Sequence, residues 1–386
     1  MIGGISNDVI SLAYYLKDDF DIKILYGDKE KGEKEATYLL EQYPGVVTKK
    51  IHSLKKNINL VNDARAYHAI YSEIKKFNCH IVHTHGSKSG FLGRLAAYRN
   101  NVPCIIHTFH GHVFHSYYNS FFSKWIVKFE RLIGRLTTHV IAISEQQGKE
   151  LLHTYKIIPE KKLSVISLGI DKKHFSEYDT YPAESLRKKF TLTANTVIIG
   201  ILGRIVAVKN FDLFIDVAEK VLSSVHKPIK FFIIGDGDLK EKVQRNLNMR
   251  NLKWSDSNNY KTDSQIIFTS WIPSVATAIN DLDIIMLTSS NEGTPLSLIE
   301  AQFCGKPVIA TDAGGVRDTF INNETGFLIP PGNADEFASK LSLLIEDDAM
   351  RDCMGKKAAN FAAMHFAKNT EVEKVKQLYS NCVLKN

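Results

Sequence analysis

The 386-residue chain predicts an α/β protein of two domains, each built on a parallel sheet. Three observations predict it. Apolar runs of strand length alternate with helical patterns throughout. Each run tends to end in Gly, Ser, Thr, His or Asp, at the carboxyl ends where open α/β sheets bind ligands. The alternation breaks once, at the polar stretch "KKHFSEYDTYPAESLRKKFTLTANT". Domains are therefore expected at 1–171 and 195–360, with a linker at 172–194 and a final helical stretch, about 361–386, crossing back to the first domain.

In chain order, the strand-length runs of the first half are "DIKILYG", "CHIVHTHG", "PCIIHTFHG", "HVIAISE" and "LSVISLGID". Those of the second are "VIIGILGR", "IKFFIIGDG", "QIIFTSW", "DIIMLTSS", "KPVIATD" and "GFLIPPG". Before the first run stands "GGISNDVISLAYYL", a glycine loop and a helix with only Met1 and Ile2 ahead of them. The first strand of a doubly wound sheet is central. Its absence predicts a start assigned about ten residues too late, or a truncated copy with little activity.

Hydrophobic residues make up 44% of the chain, ample for two cores. Five scattered cysteines without a CxxC pair argue against a disulfide framework and fit a reducing compartment. No apolar run approaches the length of a membrane span and no signal peptide precedes the first motif, so a cytoplasmic location is expected. Residues 1–180 hold 25 Lys+Arg against 18 Asp+Glu, whereas residues 181–386 hold 24 of each. A phosphate-bearing substrate or an anionic membrane surface accounts for that bias. No nucleic-acid recognition module accompanies it.

The densest site signal is "NEGTPLSLIEAQFCGKP" at 291–307, where Glu292 and Glu300 stand eight positions apart. A strand on the left and a helix on the right put Glu292 in a tight loop and Glu300 about one and a half turns into the helix. Free N–H groups at such a helix start suit an anion. Two carboxylates beside an anion make sense when the ligand also offers hydroxyls, as a ribose and a hexose joined by a diphosphate do. The alternative is a favourable acid at a helix start and one surface glutamate.

These motifs, in order, resemble the retaining glycosyltransferases of family 4, with the GT-B fold of two facing Rossmann-like domains. The resemblance covers almost the whole chain and includes "GSKSGFLGRLAA", "IIHTFHGHVFH", "VIAISE", "SLGID", "GILGRIVAVKN", "FIIGDGDLKEK" and "FTSWIPSV". The wording is most similar to enzymes of surface polysaccharide or lipid-linked saccharide synthesis. The resemblance implies transfer of a hexose or N-acetylhexosamine from a nucleotide diphosphate sugar, UDP being expected, to a saccharide or lipid-linked acceptor. It places Glu292 near the donor sugar, the Gly293–Thr294–Pro295–Leu296 backbone around the diphosphate, and Glu300 on the ribose. Arg204 and Lys209 would neutralise the leaving diphosphate in place of a metal, so no cofactor is implied. Trp271 and Ile272 fall where the nucleobase is held, although Trp271 also fits a core position. In the first domain it puts His110 near the transferred sugar, with His112 as second choice, and Gly3–Gly4 at the diphosphate and acceptor. Lys88 is either a contact to an acceptor phosphate or a solvated lysine. A UDP-sugar 2-epimerase on the same fold and an inactive nucleotide-sugar-binding paralogue are the alternatives.

Several patterns invite other chemistry. The pairs His83/His85 and His110/His112 suggest zinc, but no Cys or acid cluster accompanies them. "DLD" (Asp281, Asp283) and "DGD" (Asp236, Asp238) mimic a metal motif of other glycosyltransferases. "GDGD" lacks the GxGxxG spacing of a dinucleotide site. In "FFSKWIVKFERLIGRL" (121–136), apolar residues recur at helical spacing with Lys124, Lys128, Arg131 and Arg135 opposite. It reads either as a core helix with a basic outer face or as a surface for anionic lipid.

Overall fold

The structure, a computed structural model, describes residues 4–28, 38–55, 57–111, 120–171, 185–272 and 275–384. The chain forms two compact units, Met1–Gly169 with Lys368–Asn386, and Ile170–Ala367.

In the first unit the order is α1 (Gly4–Leu16), β1 (Lys23–Gly27), α2 (Tyr38–Gln42), β2 (Val47–Ile51), α3 (Leu60–Phe77) and β3 (Ile81–His85). There follow α4 (Ser87–Arg99), β4 (Cys104–Phe109), α5 (Ser120–Leu136), β5 (His139–Ala142), α6 (Glu145–Lys149) and β6 (Leu163–Val165). The C-terminal helix, Lys368–Leu384, belongs to this unit. All strand pairs are parallel. They form a four-stranded sheet, β3-β4-β5-β6, and a separate two-stranded sheet, β1-β2. Alternation along β4 decides the layers. Ile105 packs with Ala66, Ile70 and Ile74 of α3 and Leu92 and Ala96 of α4. Cys104 and Ile106 pack on the other face with Leu12 and Leu16 of α1 and Val372, Val375 and Tyr379 of the C-terminal helix. The start of α3 is set by Asn59, whose side chain accepts from Asn62 N–H at 3.0 Å, and its end by left-handed Asn78.

The second unit contains α7 (Leu186–Lys189), β7 (Val197–Leu202), α8 (Phe211–Ser224), β8 (Ile229–Ile234), α9 (Lys240–Met249), β9 (Trp254–Asp256) and β10 (Ile266–Ser270). It continues through α10 (Val275–Asp281), β11 (Ile284–Leu287), α11 (Leu296–Phe303), β12 (Val308–Thr311), β13 (Gly326–Ile329), α12 (Ala334–Glu346) and α13 (Asp348–His365). Its seven strands make one parallel sheet in the order β13-β12-β11-β7-β8-β10-β9. The first strand, β7, is central and wholly buried, with Val197, Ile199 and Ile201 on one core and Ile198 and Leu202 on the other. Runs apolar on both faces are what a sheet covered by helices requires.

Two strands escape the sequence reading. β2, "VTKKI", and β9, "WSD", are short edge strands whose side chains are mostly not buried, so they carry no apolar run. Of the expected linker, 172–184 lie outside the described residues. Its remainder is part of the second unit, since Leu186 and Phe190 are buried in that core. The chain passes back to the first unit between Ala367 and Lys368.

Candidate active site

Each unit carries a group of site residues at the carboxyl ends of its strands. In the second unit, "GRIVAVKN" turns from β7 into α8. A 3-10 turn, Ala207–Lys209, ends at Asn210, which is left-handed and whose side chain accepts from Leu213 N–H. That geometry fixes the root of Lys209, and Thr288 Oγ1 donates to Lys209 O at 2.9 Å. Lys209 Nζ then meets Glu292 Oε1 at 2.7 Å, and Ser289 Oγ donates to the same oxygen at 2.6 Å. The Glu292 backbone is pinned as well, because its carbonyl accepts from Gly315 N–H at 2.9 Å. Neighbouring Gly314 has φ +60, and a Cβ there would lie 2.2 Å from Glu292 O. Only glycine allows that approach. Arg204 is exposed.

Pro295 caps α11 from outside, with φ −73 and ψ 97, so the helix begins at Leu296. Gly293 and Thr294 lie in the loop just before it. Glu300 is half-buried in this helix, and among the described residues its carboxylate has no hydrogen-bond or ion-pair partner. Burial alone pushes its carboxyl up to about 7. Such a group is costly unless a ligand supplies donors. Trp271 is 59% exposed, which rules out the core position left open for it, while Ile272 packs partly against the sheet.

In the first unit His110 follows β4, and its Nε2 lies 2.8 Å from His85 Nδ1 at the end of β3. Burial holds both imidazoles below their usual range, so both are neutral at neutral pH. His110 Nδ1 is buried and has no partner among the described residues. Behind this pair, Lys368 Nζ bonds Asp8 Oδ1 at 2.9 Å and Glu371 Oε2 at 2.7 Å. Burial opposes ionisation of Asp8, but Lys368 outweighs it and holds its carboxyl low. Burial and then Asp8 push Glu371 up to about 8. This triad ties α1 to the C-terminal helix and sets the field at His110.

Gly4 opens α1, whereas Gly3 and His112 lie outside the described residues. Lys88 is neither solvated nor free. It pairs with Asp63 of α3 and donates to Asn57 O at 2.6 Å. Both ring nitrogens of His83 are engaged, with Tyr379 Oη at 2.6 Å and Thr108 Oγ1 at 2.7 Å. Asp283 accepts from Arg187 at 2.7 Å and from Ile198 N–H at 2.8 Å. Asp281 accepts from Ser185, and Asp236 from Ser270 and Gly237 N–H. These acids tie together segments of the second unit that are distant in sequence. Sequence reasoning missed Asp8, Lys368 and Glu371 as parts of the site, because residues 360 positions apart give no local signal. It read His85 only as half of a zinc pair.

Two parallel α/β units with anion-suited loops at strand ends suit a phosphate-bearing ligand. Comparison with known proteins refines this. The family model described as Glycosyltransferase Family 4 matches residues 2–174, and that for glycosyl transferases group 1 matches residues 182–361. Among relatives, the Escherichia coli UDP-Gal:alpha-D-GlcNAc-diphosphoundecaprenol alpha-1,3-galactosyltransferase is 30% identical over 343 residues, covering 86% of this chain and 84% of that protein. The Staphylococcus aureus capsular polysaccharide biosynthesis glycosyltransferase CapM is 23% identical over 371 residues, covering 96% and 92%. Anabaena Alr3699/HepE, solved with UDP and glucose, superimposes with TM-score 0.78 at 18% identity, covering 98% of this chain and 96% of that one. The chain belongs to the family 4 glycosyltransferases and has their GT-B fold. It is a glycosyltransferase acting on nucleotide sugars.

Proposed function

We propose that this enzyme is a retaining, metal-independent transferase. It moves a hexose or N-acetylhexosamine from a UDP-sugar to a saccharide or lipid-linked acceptor in surface polysaccharide assembly. The observation that carries the donor assignment is Glu300, a half-buried carboxylate with no partner among the described residues, a little over one turn into α11. The ribose hydroxyls supply the donors it lacks. The backbone of Gly293, Thr294, Pro295 and Leu296 approaches the diphosphate, where the helix start favours negative charge. Arg204 and Lys209 take up the charge that grows on the leaving diphosphate. Before the donor binds, Glu292 holds Lys209 in place; when the diphosphate competes for the ammonium, Glu292 accepts from a sugar hydroxyl. Neutral His110 offers Nδ1 to the transferred sugar, with His85 fixing its ring. Trp271 and Ile272 flank the nucleobase. The relatives support the acceptor class, since the E. coli enzyme's name specifies a diphosphoundecaprenol-linked acceptor and CapM serves a capsular polysaccharide. Retention rests on the family, and NMR of the product tests it: the anomeric configuration should match that of the donor, and inversion overturns the reading.

We propose that the enzyme works at the inner face of the membrane, a reading that α5 supports. Ile133 and Glu130 are buried, but Trp125, Phe129 and Leu132 are 58%, 46% and 55% exposed. Their spacing puts them in one stripe, with Lys128, Arg131 and Arg135 along its side. This is the composition of a helix that lies on anionic lipid. Among the described residues no helix is long and apolar enough to cross a membrane.

A further inference from the structure

A small cavity of about 10 Å³ lies in the first unit between α1, the carboxyl ends of β3 and β4, and the C-terminal helix. Its polar walls are Asp8, His83, His85, Thr108 and Glu371, and Leu12 and Val375 are among its apolar ones. A space of about 10–15 Å³ admits one water where two to four polar groups face it. The polar walls have hydrogen-bonding capacity to spare. Glu371 Oε2 accepts from Lys368 Nζ at 2.7 Å and from Gly169 N–H at 2.8 Å. Glu371 also hydrogen-bonds Asp8, and because Asp8 is the stronger acid the shared proton sits on Glu371. Asp8 is therefore purely an acceptor. Its Oδ1 takes Lys368 Nζ at 2.9 Å, and a carboxylate has about four lone-pair sites. His85 uses Nδ1 on His110 Nε2 at 2.8 Å, and its own Nε2 has no partner among the described residues. Thr108 Oγ1 bonds His83 Nε2 at 2.7 Å and has room for another bond.

We propose that this cavity is a water-binding site and that the water, held by Asp8, fixes the tautomer of His110 through His85. The water donates one hydrogen to the Asp8 carboxylate and the other to Thr108 Oγ1. Its lone pair accepts from His85 Nε2–H. The anion decides this direction, because a carboxylate behind an imidazole favours the N–H that points toward it. His85 Nδ1 is then without a proton, so the 2.8 Å bond runs from His110 Nε2–H. A neutral imidazole carries one proton. His110 Nδ1 is therefore left as a buried lone pair, and it has no partner among the described residues. Asp8 and His85 are positioning residues that act through His110. The consequence rests on the reading of His110 as the group beside the transferred sugar: Nδ1 accepts from a sugar hydroxyl, and a neutral hexose is favoured over a hexuronate, whose carboxylate would need a donor there.

Long-range proton–nitrogen NMR of the full chain, with its histidines nitrogen-15 labelled, reads the tautomers without any ligand. At neutral pH His85 and His110 should both be protonated on Nε2. Asp8→Asn should shift His110 toward Nδ1–H. Val375→Ile adds one carbon to the cavity wall and should displace the water, leaving His110 a mixture of tautomers even if Asp8→Asn does not fold. A crystal structure of the wild type should show a water within about 3.2 Å of the Asp8 carboxylate, His85 Nε2 and Thr108 Oγ1. Three results overturn the proposal: His110 protonated on Nδ1 in the wild type, a dry cavity in the crystal, or wild-type tautomers in V375I. Activity tests the consequence separately. V375I should lower kcat by roughly two- to tenfold, the worth of one hydrogen bond, and change donor KM less. Tautomers that change as stated with an unaltered kcat would remove His110 from the sugar while the water site stands.

Discussion

Replacing Glu300 by Gln removes a charge at a position where burial opposes it. Burial pushes its carboxyl up to about 7 in the folded protein, from 4.5 when free. The sign is that of a raised acid: the folded protein keeps the proton longer, so stability is full below pH 4.5 and is lost as pH rises through about 7. At about 1.4 kcal/mol per pH unit, that interval is worth about 3 kcal/mol at most. The substituted amide carries no charge, so E300Q should match wild type at pH 4.5 and exceed it at pH 8 by roughly 4–12 °C in Tm. Binding should move the other way. Loss of charge-assisted bonds to the ribose costs about 1.5–3 kcal/mol, or roughly 10–150-fold in Kd for UDP with Glu300→Ala. E300Q keeps a carbonyl acceptor and should lose less. The ratio of E300Q to wild-type Kd should be largest at pH 8 and shrink by up to about tenfold per pH unit below 7, as the wild-type carboxylate takes up its proton. Calorimetric titration with UDP at pH 6, 7 and 8, with thermal melts at each pH, measures both arms. An unchanged Kd in Glu300→Ala at pH 8 would refute the ribose contact. A pH-independent stability difference would refute the burial argument.

Arg204→Ala and Lys209→Ala should each lower kcat by about tenfold or more and change donor KM less, because charge on the diphosphate is greatest in the transition state. Activity should persist in EDTA; loss restored by manganese contradicts a metal-free mechanism. Cosedimentation with vesicles rich in anionic lipid should fall as salt rises past the point where screening reaches about 8–10 Å, and Trp125→Ala with Phe129→Ala should weaken it at low salt. Equal binding to neutral vesicles removes the electrostatic part of that reading. Lys368→Met strands Asp8 and Glu371 in the first core and should cost about 3–5 kcal/mol in chemical denaturation. Glu371, raised to about 8, should make wild-type stability decline between pH 4.5 and about 8, a decline that Glu371→Gln should flatten.

Local pattern determined much of this protein. Apolar runs such as "VIIGIL" and "IKFFII" can be satisfied only by strands covered on both faces, and alternating them with helical segments leaves a parallel α/β sheet as the natural outcome. Glycines and small polar residues after those runs marked the loops, and the spacing in "NEGTPLSLIE" was enough to place two acids about a helix start. Charge, contact and edge pairing were decided by the tertiary structure. Lys209 and Glu292 meet across 83 positions, and Lys368 reaches Asp8 across 360. A sequence prints a lysine identically whether it is solvated, as Lys88 was allowed to be, or paired with Asp63. The edge strands β2 and β9 went unread because a strand held mainly by backbone bonds needs no apolar side chains. Burial decided the rest. It separated Trp271 from the core, turned three basic positions of α5 into the flank of an exposed apolar stripe, and gave Glu300 its raised carboxyl, because desolvation depends on every neighbour that folding brings near and not on the residues beside it in the chain.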